Sequence, residues 1–446
     1  MSDTEFQSNF DSFLAQGYRL YHVDGYDVGG TTRFAAIWAN TGGPEWLAQH
    51  NIANQDYQTA FNDKLYEGYQ LQSISGYVRN GQAHFATIWQ SVAFANSERN
   101  FINAQVEAFM SAYNVPSVSI AIAKDEKLIY AKAFGFADIS VGEKATTDHR
   151  FRIASLTKPI TSTAAFKLIE EGKLSLDDTI FGAQGILGQT YGTLPYDPSI
   201  EMITVGDLLQ HTSGGWSSNS NDPSFENMWL DKDALISWTL DNYPVTTPGT
   251  SYAYSNFGYF LMGRVIEEIT GSTYGEYVHN AILSPVGAPN MALAHNTLAE
   301  RLPKEVVYYD NTTDPYGFNI ENMDSQGGWV ATPVELLKFL VRVDGRNGKS
   351  DILQAASVDA MVNSPSVAPF YSHGWIVTYD NRWHDGSVQG TRTIMGNLGD
   401  GYAWAILTNT RDAANDNNYF LAMDQLPFTI TNNVSDWPKG DFFVSP

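Results

Sequence analysis

The sequence predicts an α+β protein in two parts, and two observations predict it. The first ninety residues repeat themselves at a constant offset, and from residue 101 onward strand-like runs at both chain ends enclose a stretch of helices. Strands contributed from both ends imply one sheet, with a helical region inserted between its halves. The 446 residues suit two or three compact units, and a 43% hydrophobic content is ample for a large core.

The repeat is read directly from the residues. Phe10, Leu14, Gly17, Tyr18, Leu20, Gly25, Tyr26, Gly30, Phe34, Ala35, Ile37 and Trp38 recur as Phe61, Leu65, Gly68, Tyr69, Leu71, Gly76, Tyr77, Gly81, Phe85, Ala86, Ile88 and Trp89. The spacing of 51 never slips, so this is a duplicated structural unit. Each copy opens with a helical segment (10–16, 61–67) closed by a glycine. Two strand-like runs then flank a glycine-bearing turn: 18–26 with 33–38, and 69–77 with 84–89. The units are therefore tandem αββ repeats at about 7–40 and 58–91, forming a domain over 1–95. The shared aromatics are expected to be the packing core, with ligand stacking as the alternative.

A second domain is expected over 100–446. Helix 101–112 leads into strand-like runs 117–124 and 128–137, joined by the polar turn Asp125-Glu126-Lys127. A long apolar helix over 155–171 is closed by Gly172. Further helices are predicted at 204–210, 254–270, 274–283, 333–343 and 353–362, and strands resume at 374–379, 382–384, 391–396 and 402–408.

Composition removes several function classes. Forty-nine acidic against 26 basic residues give a net charge of −23, with no clustered Lys and Arg to neutralise phosphates, so nucleic acid is no partner. No run approaches the ~20 apolar residues of a membrane span. The acidic start Met-Ser-Asp-Thr-Glu-Phe does not read as a secretory signal, and secretion is expected only if a signal has been trimmed, so the compartment stays open. There are no cysteines, hence no disulfides or thiol nucleophiles, and the histidines are scattered without ligand spacing, so neither metal nor organic cofactor is called for.

Three motifs carry chemistry. Ser155-Leu156-Thr157-Lys158 opens the long apolar helix, where residues three apart share a face and Lys158 Nζ can reach Ser155 Oγ. A serine hydroxyl needs a neighbouring base, and lysine serves only if its pKa falls. Alone, such a tetrapeptide is about as often an ordinary surface pair. Tyr254-Ser255-Asn256 lies at a loop-to-helix junction. A phenol between two amines can be held as phenolate and shuttle protons, and the Asn256 amide can hold both Lys158 and a substrate carbonyl; alone, Tyr254 would be a core tyrosine. His384-Asp385-Gly386-Ser387 is the sequence's single His-x-Gly, on a late strand, where a backbone N–H past the glycine and that of Ser155 can form an oxyanion hole. Alone, His384 would be structural or capping.

Taken in order, Ser-x-x-Lys, Tyr-x-Asn and Lys/His-x-Gly on a helix start, a loop and a late strand resemble the β-lactamase-related serine hydrolases: class C β-lactamases, D-alanyl-D-alanine carboxypeptidases, D-aminopeptidases and esterases. The segments 208–214, 327–333 and 405–409 are similar to the family's scaffold, His211 included. The resemblance spans about 101–425. It implies a β-lactamase/transpeptidase-like fold, an antiparallel sheet flanked by helices. Its implied mechanism is a two-step acyl transfer: Ser155 attacks, Lys158 and Tyr254 move its proton, Ser155 and Ser387 N–H groups bind the oxyanion, and Tyr254 with His384 activates water. The repeats resemble those ahead of polyglycine hydrolases, secreted fungal proteases that cut glycine–glycine bonds. Two copies are fewer than that group carries.

Where penicillin-hydrolysing relatives carry Lys-Thr-Gly, this chain offers His384 and Asp385, which ranks β-lactam hydrolysis below peptidase or esterase activity. Three readings follow: a peptidase or amidase on small-residue, glycine-rich or D-amino-acid peptides; an esterase; or a binding protein with a vestigial hydrolase domain. Trp216, Trp329, Trp375 and Trp383 are read as cleft walls or as core.

Overall fold

A computed structural model describes residues 1–91, 94–219 and 222–443. The repeat is conserved down to its irregularities. In the first copy, α1 (Asp3–Ala15) precedes β1 (Arg19–Val28) and β2 (Thr31–Ala39). After a further strand, β3 (Trp46–Ala53), the second copy supplies α2 (Tyr57–Tyr66), β4 (Tyr69–Arg79) and β5 (Gln82–Ser91). A 3-10 turn over Asn54–Asp56 runs into α2, so both helical segments begin at the same repeat position, Asp3 and Asn54. That is earlier than the aromatic pattern suggested, because a capping box between Ser2 and Glu5 starts α1 before its first apolar residue. Gly17 and Gly68 end the helices at φ of 81° and 83°, where a side chain would be strained.

Both hairpins carry a bulge at the same place, between Leu20 and His22 and between Leu71 and Ser73. Strand β3 pairs with β5 and has no counterpart in the predicted αββ unit; Met1 alone answers it in the first copy, bonding Phe34 through both N and O at 2.8 Å. The two sheets enclose a core of Phe6, Leu20, Val23, Phe34, Tyr77, Ala86 and Ile88. Most of the shared aromatics pack, Phe10 on Trp38 and its equivalent Phe61 on Trp89, whereas Tyr26 is exposed where its equivalent Tyr77 is buried.

The remainder is built on an eight-stranded antiparallel sheet. Its N-terminal strands are β6 (Ser117–Lys124), β7 (Lys127–Asp138) and β8 (Glu143–Lys144). Its C-terminal strands are β9 (Tyr371–Ser372), β10 (Trp375–Thr378), β11 (Asn381–Val388), β12 (Thr391–Asn397) and β13 (Tyr402–Thr408). The spatial order is β9-β10-β11-β12-β13-β6-β7-β8, so the chain ends meet where β13 pairs with β6. Both faces of β6 are buried, but unequally by size. Val118, Ile120 and Ile122 meet α3 (Asn96–Tyr113) and the C-terminal helix Asp416–Asn433 on one face. Ala121 and Ala123 face the other, where small side chains let the inserted helices approach closely. Among those helices α4 (Thr157–Glu170) is buried nearly all round, as a central helix must be. This is the β-lactamase/penicillin-binding-protein-like α+β fold. Among the described residues no helix is long and apolar enough to cross a membrane.

The repeats are fastened to the sheet by polar contacts: Lys132 on β7 pairs with Glu67 at 3.0 Å, and Asp63 accepts the Thr147 N–H at 3.1 Å. Arg99 donates to Glu67 O and Phe94 O and lies over the Tyr69 ring.

Candidate active site

The turn that carries Ser155 is over-determined. Thr393 Oγ1 donates to Ile153 O at 2.9 Å, and Ile153 N donates to Trp329 O at 2.9 Å. Ala154 is forced to a φ of 47°, a strain that only such anchoring sustains. Between Phe151 and Phe166, Ser155 alone is not fully buried. A 3-10 turn over Ala154–Leu156 feeds α4, placing Lys158 one turn behind it.

Lys158 Nζ lies 3.0 Å from Ser155 Oγ, 2.7 Å from Asn256 Oδ1 and 2.9 Å from Gln326 O. Asn256 Oδ1 and Gln326 O can only accept. An uncharged amine gives its two hydrogens to them and turns its lone pair toward Ser155. Burial is the main reason its pKa falls to about 7, against the pull of Asp222 and Asp385, which favour the cation. The Gln326 carbonyl is fixed from behind: Thr161 Oγ1 donates to Ser325 O, and Asp324 is clamped by Lys232 and Arg264 at 2.5 and 2.7 Å.

Asn256 starts helix α5 (Asn256–Thr270), behind the capping residue Ser255. Its amide points one way only. Nδ2 donates to Asp222 Oδ2 at 2.8 Å and to Ser218 Oγ at 3.1 Å, and a carboxylate cannot accept from Oδ1, so Oδ1 must face Lys158. Both Nδ2 hydrogens are thereby engaged, and the expected hold on a substrate carbonyl is not available in this arrangement. Asp222 was not legible in the sequence as part of the site, where Asp222-Pro223 reads only as a helix start. Asp222→Asn should remove both the amide lock and the charge that favours protonated Lys158. The expected result is a turnover loss of roughly 10-fold and an acid limb displaced to lower pH, read from a pH–rate profile.

Tyr254 lines the same cleft as Ser155, and the Lys158 amine lies 4.8 Å from its ring centroid. The expected phenolate is not what its surroundings favour. Burial pushes the phenol well above its usual pKa, and only one amine, not two, stands beside it. His211, read as scaffold, positions it: His211 Nδ1 accepts the Ser255 N–H at 3.1 Å and the two rings lie 4.3 Å apart. Burial holds His211 neutral.

His384 lies in the same crevice, yet it is not a free base. Nδ1 contacts Asp385 O at 2.6 Å and must carry the proton, while Nε2 faces the Tyr371 hydroxyl at 3.3 Å. Burial lowers its pKa to about 4, so the imidazole is neutral near pH 7. The expected help in activating water has no open nitrogen to provide it. Asp385 pairs with Arg392 at 3.0 Å.

Gly386 is required for contact between strand and nucleophile, since a Cβ there would meet Ile153 O at 2.6 Å and Ala154 Cβ at 3.0 Å. Strand β10 pairs with β11 only through Asn381–Trp383, leaving the edge of 384–388 without a strand partner on that side among the described residues. Ser155, Tyr254, Asn256, His384 and Ser387 all line one cleft of about 350 Å3, walled by Phe225, Tyr252, Met323, Phe370, Tyr371 and Ile376. None of the four tryptophans lines it: Trp216, Trp329 and Trp375 are core, and Trp383 stacks on Phe420.

Comparison with known proteins bears on the family and the fold. Residues 102–424 match the beta-lactamase family, and residues 1–41 and 43–92 match the polyglycine hydrolase-like structural repeat. Protein flp of Staphylococcus aureus (strain MRSA252) is 24% identical over 326 residues, covering 70% of this chain; the chain spans only 63% of that relative's length. The octameric penicillin-binding protein homologue from Pyrococcus abyssi superposes with a TM-score of 0.59 at 26% identity, over 73% of this chain and 76% of that one. D-amino acid amidase from Ochrobactrum anthropi SV3 gives 0.61 at 23% identity, over 76% and 100%, and is evidence of fold alone. With almost three-quarters of its residues inside the family match, the chain belongs to the beta-lactamase family, preceded by two polyglycine hydrolase-like structural repeats.

Proposed function

We propose that the protein is a serine hydrolase that works through an acyl-enzyme, acting as a peptidase or amidase on small-residue, glycine-rich or D-amino-acid peptides. The observation that carries this reading is the fully buried Lys158 amine, held by the acceptor-only Asn256 Oδ1 and Gln326 O at 2.7 and 2.9 Å and lying 3.0 Å from Ser155 Oγ. Ser155 Oγ attacks the substrate carbonyl carbon while its proton passes to Lys158 Nζ. The N–H groups of Ser155 and Ser387, beside the open edge of β11, receive the oxyanion. Lys158 then returns the proton through the Tyr254 phenol to the leaving amine, and the C–N bond breaks. Water then attacks the ester so formed, giving one proton to Lys158, which passes it to Ser155 Oγ as the C–Oγ bond breaks and the acid is released.

Substrate preference follows from charge. The third motif supplies a neutral imidazole where a cation would grip a carboxylate, and Arg392 is already engaged by Asp385. Both features disfavour penicillin-like anions and suit an uncharged peptide segment. The catalytic role is assigned to residues 100–446 and a structural one to residues 1–95, whose core is separate.

A fluorophosphonate probe followed by peptide mass spectrometry tests the mechanism. The adduct is expected on Ser155. A panel of glycine-rich peptides, D-amino-acid amides and p-nitrophenyl esters tests the substrate, with amide turnover expected. Turnover of esters alone supports an esterase of the same fold. An unlabelled, folded protein supports the binding-protein reading and ends this one.

A further inference from the structure

The two repeats do not pack as mirror images. They stack front to back, and the stack leaves both halves of its own contact unused. The front of the first copy carries Val23, Gly25, Phe34 and Phe6, and the back of the second, carrying Ser75, Tyr77, Ala86 and Ile88, is laid against it. The contact is close: a Cβ on Gly25 would sit 2.3 Å from the Tyr77 ring, and the Gly25 N–H donates to Ser75 Oγ at 3.1 Å. The 51-residue offset identifies the corresponding surfaces. On the back of the first copy, Tyr26, Ala35 and Ile37 match Tyr77, Ala86 and Ile88. Tyr77 and Ile88 are 5% and 4% exposed, whereas Tyr26 and Ile37 are 44% and 58% exposed. On the front of the second copy, Ile74 and Gly76 match Val23 and Gly25. Val23 is 1% exposed and Ile74 is 44% exposed, and Gly76 faces solvent with only its own sheet's Phe85 nearby.

The same residue types are thus buried in the internal contact and bare on the outside. We infer that this chain associates head-to-tail with further copies of itself, the Tyr26–Ile37 face of one copy seating on the Ile74–Gly76 face of the next. The internal contact is the template. The Tyr26 ring takes the place over Gly76 that Tyr77 takes over Gly25, and Asp24, the counterpart of Ser75, offers its carboxylate to the Gly76 N–H. Two different surfaces meet, so the contact is heterologous and open-ended, as expected of repeats that interact only with neighbours. The copies each carry a net charge of −23, so added salt strengthens the association by screening their repulsion.

Sedimentation equilibrium of the full chain tests this. The weight-average mass is expected to rise above the 49.3 kDa of one chain as concentration increases, and to rise further when salt is added. Ile37→Glu and Ile74→Glu, at exposed positions on opposite faces, should each reduce the rise. An equimolar mixture of the two should form a two-chain species and nothing larger, because each variant retains the face the other lacks. A constant single-chain mass at all concentrations overturns the inference. So does a rise that neither variant alters, or a mixture that stays single-chain. Loss with Ile37→Glu alone would mean a symmetric contact through the Tyr26 face, and overturns the head-to-tail form.

Discussion

Lys158→Ala is expected to lower kcat/KM by at least about 10^3-fold, measured with whichever amide or p-nitrophenyl ester the wild type turns over. The size follows from the lack of a substitute base among the described residues of the cleft. Both His384 nitrogens are engaged, Tyr254 is a phenol held far from ionising, and Asp385 is paired with Arg392. Truncation leaves the buried Asn256 Oδ1 and Gln326 O without a donor, at about 1–3 kcal/mol each, partly offset because an amine no longer has to be buried. A melting temperature lowered by a few degrees, with activity lost far below it, therefore marks a catalytic lysine. A collapse of stability that accounts for the whole loss would mark a structural one. Lys158→Arg sharpens the result: it keeps a cation but cannot supply a lone pair, so it should be as inactive as alanine. The wild-type profile carries the same signature. Because the base works uncharged and titrates near 7, kcat/KM should fall about tenfold per pH unit below that point. His384, with its pKa near 4, adds no limb between pH 5 and 8.

What could be read from the sequence divides along physical lines. The αββ repeats were legible because aromatic side chains recur on a strict offset, and β6 and β13 because apolar runs end at marked turns. Strand β3 was not: in Trp46–Ala53 every residue is half-buried, so no period-2 contrast appears. The C-terminal helix Asp416–Asn433 carries Pro427 in its interior, which reads locally as a break and is tolerated because the helix packs against α3 and the sheet. In the site, the three motifs announced the groups that meet: Ser155, Lys158, Tyr254, Asn256, His384 and Ser387 share one crevice. Their supports were silent. Asp222 reaches Asn256 across 34 positions and His211 reaches Ser255 across 44, on pairings set by tertiary packing alone. Of the ionisation states, the neutral imidazole of His384 follows from its ordinary pKa, whereas those of Lys158 and Tyr254 are set by burial. A phenol expected as phenolate stays protonated and an imidazole expected to assist is engaged, because burial outweighs the charges beside them, Asp385 adding to its effect on the phenol and opposing it on the imidazole.

Tyr254→Phe is expected to cost about 10^2–10^4-fold, and unequally between substrates. A phenol that stays protonated acts as a proton donor and relay. Its value depends on how badly the leaving group needs a proton. An amine expelled from a tetrahedral intermediate must be protonated as the C–N bond breaks, whereas p-nitrophenolate departs as a stable anion. An amide and a p-nitrophenyl ester with the same acyl group share one acyl-enzyme and one deacylation step, so the ratio of their kcat/KM values reports acylation alone. Tyr254→Phe should therefore depress the amide value at least about tenfold more than the ester value, while the acid limb set by Lys158 stays near pH 7. Equal losses on both substrates would assign the phenol to holding Ser155 in place, and would leave Lys158 to deliver the proton directly.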